Sequence, residues 1–88
     1  MTQSASEEVT DRPIRRVQRM EHGYKCLVAD VGEMDFTHDQ CEPDGDGFEV
    51  LVECTDSPDP AVPGKVRLEI WFDPATHHGN VRIIQPAQ

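Results

Sequence analysis

Residues 48–54 read FEVLVEC, and residues 66–72 read VRLEIWF. Both stretches alternate apolar and polar side chains with a period of two, which is typical of a β-strand with one buried face. Leu51 and Trp71 are apolar residues that fall on the polar face. The segment between the stretches carries three prolines and predicts a loop over residues 56–64. These residues predict two strands of a sheet with one apolar face.

Residues 24–31, 33–39 and 81–84 follow the same alternation and predict three more strands. Residues 43–47 read PDGDG, a composition typical of a turn. Short strands joined by short connections favour antiparallel pairing. The apolar face of such a sheet must be covered. A helix, curling of the sheet into a small barrel, or a second copy in a homodimer would each do so.

Residues 10–23 predict a short helix. Ile14, Val17 and Met20 recur every third residue, as on the apolar side of a helix, while four arginines occupy other positions. Gly23 is suited to end it. We therefore expect an α+β fold: a four- or five-stranded antiparallel β-sheet, a meander or a small barrel, with one short N-terminal helix.

The chain has 88 residues, enough for one small domain. We expect that domain to span residues 10–85. Residues 1–9 are mostly polar and predict a disordered N-terminal tail, and residues 86–88 predict a frayed C-terminal tail.

Acidic residues dominate the chain, with 17 Asp and Glu against 8 Lys and Arg, for a net charge of −9. Residues 26–64 contain no Lys or Arg, and most of the basic residues precede them. This charge disfavours direct binding to nucleic acid, which depends on Lys and Arg contacts to phosphates. No apolar run is long enough to cross a membrane. Three widely spaced cysteines and no visible signal peptide predict free thiols and a cytoplasmic location.

The electrostatic field of such an acidic protein attracts basic surfaces. We therefore expect a non-catalytic interaction module that docks on a basic partner protein, either as an inhibitor or as a charge mimic of nucleic acid of the phage or mobile-element type. An aromatic residue with arginine nearby is typical of an interface centre. The candidate contacts combine carboxylates with an apolar patch and its charged rim: Glu33, Asp35, Asp39, Glu49, Glu53, Leu51, Arg67, Trp71 and Ile84.

Residues 42–53 resemble the twelve-residue calcium loop of the EF-hand family. The resemblance implies calcium ligands at the acidic positions Glu42, Asp44, Asp46 and Glu53, with Gly47 at the sharp turn. The sequence departs from the pattern because the first position is Glu42 and because residues 48–54 predict a strand where a helix would follow. An acidic hairpin turn is the preferred interpretation, and calcium binding is the alternative.

A second alternative is a zinc site made of Cys26, His38, Cys41 and Cys54. Structural zinc sites usually draw their ligands in close pairs, whereas Cys26 and Cys54 lie singly in strand patterns, where a thiol packs as a small apolar group. No phosphate loop or catalytic motif occurs. We therefore expect no cofactor, no resident metal and no enzymatic activity.

Overall fold

Seven antiparallel strands form one curled sheet, a half-barrel, in the computed structural model, which describes residues 7–86. The strands are β1 (Glu8–Met20), β2 (Gly23–Val28), β3 (Gly32–Thr37), β4 (Glu42–Asp44), β5 (Gly47–Cys54), β6 (Val66–Phe72) and β7 (Gly79–Gln85). Their order in the sheet is β3-β2-β1-β7-β6-β5-β4. The one helical segment in these residues is a single 3-10 turn, His38–Gln40, between β3 and β4.

The predicted N-terminal helix is wrong, because residues 8–20 form the long strand β1. The cause is a β-bulge between Ile14 and Arg16, where Arg15 is an extra residue opposite the ladder of β2. A bulge inserts one residue and so shifts the alternation of the strand. Ile14 and Val17 therefore both face the core at a spacing of three, which mimics the period of a helix.

The α+β class and the count of four or five strands are also corrected by this topology. The five predicted strands correspond to β2, β3, β5, β6 and β7, and their antiparallel pairing is confirmed. The strands β1 and β4 complete the sheet. The composition of residues 43–47 is typical of a turn, yet residues 42–44 pair with residues 47–49 as the first arm of a tight hairpin.

Strand β1 joins the two parts of the sheet. Its first part, Glu8 to Pro13, pairs with β7, and its second part, Ile14 to Met20, pairs with β2. Strands that change partners through a bulge are a common way to turn a corner between sheets. The bend brings Tyr24 of β2 against Phe72 of β6, with ring centroids 5.2 Å apart. The concave face is therefore covered in part by the sheet itself.

The proline-rich loop, residues 55–65, covers more of the concave face. Val62 is buried within the core, and Asp59 is 1% exposed. The Ser57 N–H donates to the Gly64 carbonyl at 2.8 Å and closes the base of the loop. Arg12, on the inward side of β1, donates to Asp59 and ties this loop to the sheet. The loop therefore acts as part of the core.

No helix within residues 7–86 is long and apolar enough to span a membrane. The predicted tails fall mainly on residues 1–6 and 87–88, which lie outside the described residues. Glu8 and Val9, the last two residues of the predicted N-terminal tail, belong to β1.

Candidate functional site

The convex face of the β5–β6–β7 sheet presents three rows of side chains that run across the strands. Glu49 lies opposite Trp71, and Trp71 opposite Asn80. The next row contains Leu51, Glu69 and Arg82, and the last contains Glu53, Arg67 and Ile84. The sequence correctly placed Leu51, Trp71 and Ile84 on one face, but each of them lies between charged or polar neighbours. They do not form one continuous apolar patch.

Only Leu51 of these three apolar residues is freely exposed, with 63% of its surface accessible. Ile84 is 4% exposed, because it lies between Val9 of β1 and Arg67 of β6. A buried Ile84 cannot present its side chain to a partner in this conformation. Of the three predicted apolar contacts, Leu51 is therefore the one that a partner could reach freely.

Trp71 is half-buried and engaged within the protein. Its indole Nε1–H donates to the Asp44 carbonyl at 3.1 Å. The ring lies over Gly47, where an added Cβ would come 2.7 Å from the Cζ2 atom of Trp71. The indole therefore holds the turn between β4 and β5 and requires glycine at position 47. This role in the acidic hairpin is one that the sequence did not indicate.

One side of the convex face is neutralised by ion pairs. The Arg82 guanidinium lies 3.5 Å from Asp11 and 3.9 Å from Glu69, and Arg67 lies 3.7 Å from Glu69 and 3.4 Å from Glu7. These pairs are exposed, so each contributes little to stability. Two arginines against three carboxylates leave this side with only a small net negative charge. The β6–β7–β1 side therefore attracts neither acidic nor basic partners strongly.

The other side keeps its negative charge. Asp39, Gln40, Glu42, Glu49 and Leu51 line an open groove of about 260 Å³ between the 3-10 helix and the β4–β5 hairpin, which we call the acidic groove. Glu42 and Glu49 lie directly opposite one another on β4 and β5. Among residues 7–86, none of the three acids forms an ion pair within 4 Å. An exposed leucine thus lies among uncompensated carboxylates.

The structure separates the remaining predicted acids into two other places. Glu53 lies at the far end of β5, opposite Arg67. Glu33 and Asp35 lie on β3, opposite Leu27 and Lys25 of β2, on the convex side of the other half of the sheet. The predicted acidic contacts therefore do not form one continuous acidic surface. Asp39 and Glu49 are the two that the structure brings together in the acidic groove.

The basic residues of the first part of the chain lie on β1 rather than on a helix. Arg12 faces inward and is engaged by Asp59. Arg15, Arg16 and Arg19 are exposed along the second half of β1. These arginines therefore lie on the half of the sheet that also carries Glu33 and Asp35, where Arg16 and Glu33 line one pocket, and they do not line the acidic groove.

The calcium candidates are not arranged as an EF-hand loop. Glu42 and Asp44 lie on β4, Asp46 lies in the hairpin turn, and Glu53 lies on β5. Glu53 is four residues beyond Glu49, the partner of Glu42, which corresponds to about 13 Å along a strand. Within the described residues, no three Asp, Glu, Cys or His side chains are grouped to hold a metal.

The zinc candidates do not form a metal-binding cluster within the described residues either. Cys26 is fully buried on β2, and burial, with the nearby charges of Cys41 and Asp35, raises the pKa of its thiol to about 12. Burial also raises the pKa values of Cys41 and Cys54. The Cys41 thiol donates to the Thr37 carbonyl at 3.3 Å, and His38 packs edge-on against Tyr24. All three cysteines are free thiols.

His77 is a second residue whose role the sequence did not indicate. Its Nδ1 atom accepts a hydrogen bond from the Val17 N–H at 2.9 Å. Beyond Pro13, β1 no longer pairs with β7. The Val17 N–H therefore has no carbonyl acceptor from β7. The imidazole replaces it at the bend of β1. The backbone of His77 has a positive φ of 65°, a conformation that residues other than glycine rarely adopt.

Comparison with protein-family models, curated proteins and solved structures finds no match to this chain. The fold and its surfaces define an acidic, nearly all-β protein with a curled seven-stranded sheet.

Proposed function

We propose that this protein is a non-catalytic interaction module, and that a basic partner protein docks on its acidic groove. The observation that carries the proposal is the position of Leu51, which is 63% exposed between the carboxylates of Glu49, Glu42 and Asp39. Charged groups around an interface raise association rates and select partners of opposite sign, while a desolvated apolar centre supplies affinity. Lysine or arginine side chains flanking an apolar residue would complement this groove.

Two lines of reasoning support a protein partner over nucleic acid. The net charge of −9 opposes binding to a phosphate backbone. The exposed arginines of β1 are few and lie on the half of the sheet that also carries Glu33 and Asp35. An inhibitor that covers a basic surface is compatible with this arrangement. A charge mimic of nucleic acid is less well supported, because the carboxylates are divided between separate parts of the sheet.

The reducing cytoplasm is the location that we propose, since all three thiols are free and one of them is fully buried in the core. The metal-binding alternative has no support from the described residues, which do not gather the acidic or the Cys and His candidates.

The test is a titration of ¹⁵N-labelled protein with the pentapeptide Lys-Lys-Leu-Lys-Lys, followed by amide chemical shifts at low and at physiological salt. We expect the largest shifts at Leu51, Glu49 and Glu42, and a weaker effect at higher salt because exposed charges are screened. Lys-Lys-Gly-Lys-Lys is the matched peptide without the apolar side chain and should bind more weakly. Shifts spread evenly over all acidic residues, or equal binding of the two peptides, would contradict the proposal.

A protein variant completes the test. Leu51→Ser removes the exposed apolar side chain and should change stability by no more than about 0.5 kcal/mol, as is usual for surface positions. It should remove the preference for the leucine peptide over the glycine peptide. If the preference persists in this variant, Leu51 is not the apolar contact.

A further inference from the structure

The strand β3 ends the sheet and leaves one side of its backbone without a partner. The His38 N–H donates to the His22 carbonyl at 2.9 Å, and alternate residues of an antiparallel ladder point their backbone groups to the same side. Hydrogen bonds to β2 are accordingly formed by the backbone groups of Gly32, Met34 and Phe36. The N–H and C=O groups of Glu33 and Asp35 point away from the sheet, and no backbone partner for them occurs among residues 7–86. These four groups form a free edge.

The side chains along this edge define what would fit beside it. Glu33 and Asp35 are both exposed on the convex side of β3, whereas Met34 between them turns inward and packs partly buried against the core. In an added strand, the residues opposite Glu33 and Asp35 would share their side of the sheet, and the residue opposite Met34 would face the core. The complement is an extended segment that alternates basic and apolar side chains.

We propose that β3 accepts such a segment of the basic partner as an eighth strand. This inference rests on the proposed function, because it assigns a binding mode to the same class of partner. Main-chain hydrogen bonds to a free edge give affinity, and the alternating side chains give specificity. The two carboxylates also protect the edge, since acidic side chains on an end strand oppose pairing between identical chains.

A second copy of the chain is a poorer occupant of this edge. Antiparallel pairing of β3 with β3 would set Glu33 and Asp35 against the same acids, and like charges directly opposite are destabilising. The other end strand, β4, has three residues that include two acids and Pro43. The basic half of β1 has an open side, but the His77 imidazole occupies it at Val17. The described chain therefore offers no basic edge to its own β3.

The experiment uses the hexapeptide acetyl-Lys-Val-Lys-Val-Lys-Val-amide with ¹⁵N-labelled full-length protein. If β3 gains a strand, the amide protons of Glu33 and Asp35 become protected from exchange with solvent, and amide shifts concentrate in residues 32–37. Lysines opposite Glu33 and Asp35 would direct their own backbone groups toward β3. Backbone N-methylation at the lysines should therefore weaken binding by about tenfold or more, as loss of one or two hydrogen bonds implies.

The matched control is the same peptide N-methylated at its valines, whose N–H groups would point away from β3. It keeps the charge and should bind within about twofold of the unmodified peptide. Equal binding of all three peptides, or binding without protection of Glu33 and Asp35, would overturn strand addition and leave docking by charge. If none binds while Lys-Lys-Leu-Lys-Lys still shifts Leu51, the edge inference fails alone. If neither peptide series binds, the proposed function fails with it.

Discussion

The Nε–H of Arg12 donates to Oδ2 of Asp59 at 2.7 Å, across 47 residues of chain. The carboxylate is almost completely buried, and its second oxygen accepts the Ala61 N–H at 2.8 Å. The pair connects β1 to the proline-rich loop that covers the concave face. A buried charge left without its partner is strongly destabilising. This contact therefore fixes the loop to β1.

The stability of the protein should fall in acid because of Asp59. The hydrogen bond from Arg12, supported by the Ala61 N–H and the charge of Arg12, lowers the pKa of this carboxyl below its ordinary value of 3.8. A group with a depressed pKa contributes its full stability above the unfolded value and loses it as pH falls through the folded value. Urea unfolding between pH 7 and pH 2 should show this loss below about pH 4. Asp59→Asn should flatten that part of the profile, and an unchanged profile would contradict the assignment.

Removal of the Asp59 side chain should be costly at neutral pH. Asp59→Ala leaves Arg12 without its inward partner and removes the acceptor for Ala61, so we expect a loss of about 2–4 kcal/mol in the free energy of unfolding. Asp30→Asn is the matched control, because Asp30 has a positive φ of 64° that asparagine tolerates better than alanine. Asp30 lies 3.6 Å from the same guanidinium, but its side chain is 76% exposed, so its loss should cost less than about 1 kcal/mol. Equal effects of the two substitutions would argue against a role for Asp59 in fixing the loop.

The His77 imidazole should stabilise the bend of β1 through the Val17 N–H. His77→Ala leaves that donor without a partner, and we expect a loss of about 1–2 kcal/mol. His77→Asn should recover most of it, because asparagine tolerates a positive φ and its carbonyl oxygen can accept the same bond. Chemical denaturation measures all three proteins, with His78→Ala as the neighbouring control. A fully stable His77→Ala variant would show that the hydrogen bond is dispensable.

The three thiols should differ in reactivity. The thiolate is the reacting form, and the pKa of about 12 for buried Cys26 leaves almost none of it near pH 8. With iodoacetamide under native conditions, the partly exposed Cys41 and Cys54 should be modified first. Peptide mapping by mass spectrometry should find Cys26 modified only after unfolding in urea. Early modification of Cys26 would mean that β2 opens readily.

Five of the seven strands could be predicted from the sequence because apolar and polar residues alternate along a half-buried strand. The strand β1 could not, since one bulged residue, Arg15, changes the spacing of Ile14 and Val17 from two to three. The strand β4 was hidden by a composition typical of turns. In both cases the pairing partner, which lies elsewhere in the chain, determines the structure more than the local residues do.

The candidate site shows the same limit. The alternation of side chains along β5, β6 and β7 predicts that Leu51, Trp71 and Ile84 share one face. The exposure of each side chain depends on residues of neighbouring strands, which the sequence of a single strand does not reveal. Ile84 is covered between two other strands, and Trp71 is held by the Asp44 carbonyl. The division of the acids between two halves of the sheet follows from the bend of β1, which the sequence did not indicate.

The most direct test of the docking proposal compares two variants of equal charge. Glu42→Gln with Glu49→Gln removes two charges from the acidic groove, and Glu8→Gln with Asp56→Asn removes two exposed charges elsewhere. Isothermal titration with Lys-Lys-Leu-Lys-Lys would give the affinity of each. We predict at least a fivefold loss in the groove variant and less than a twofold loss in the control, in line with about 1 kcal/mol for a local charge contact. Equal losses in both variants would show that the peptide senses only net charge, and would contradict a docking site at the acidic groove.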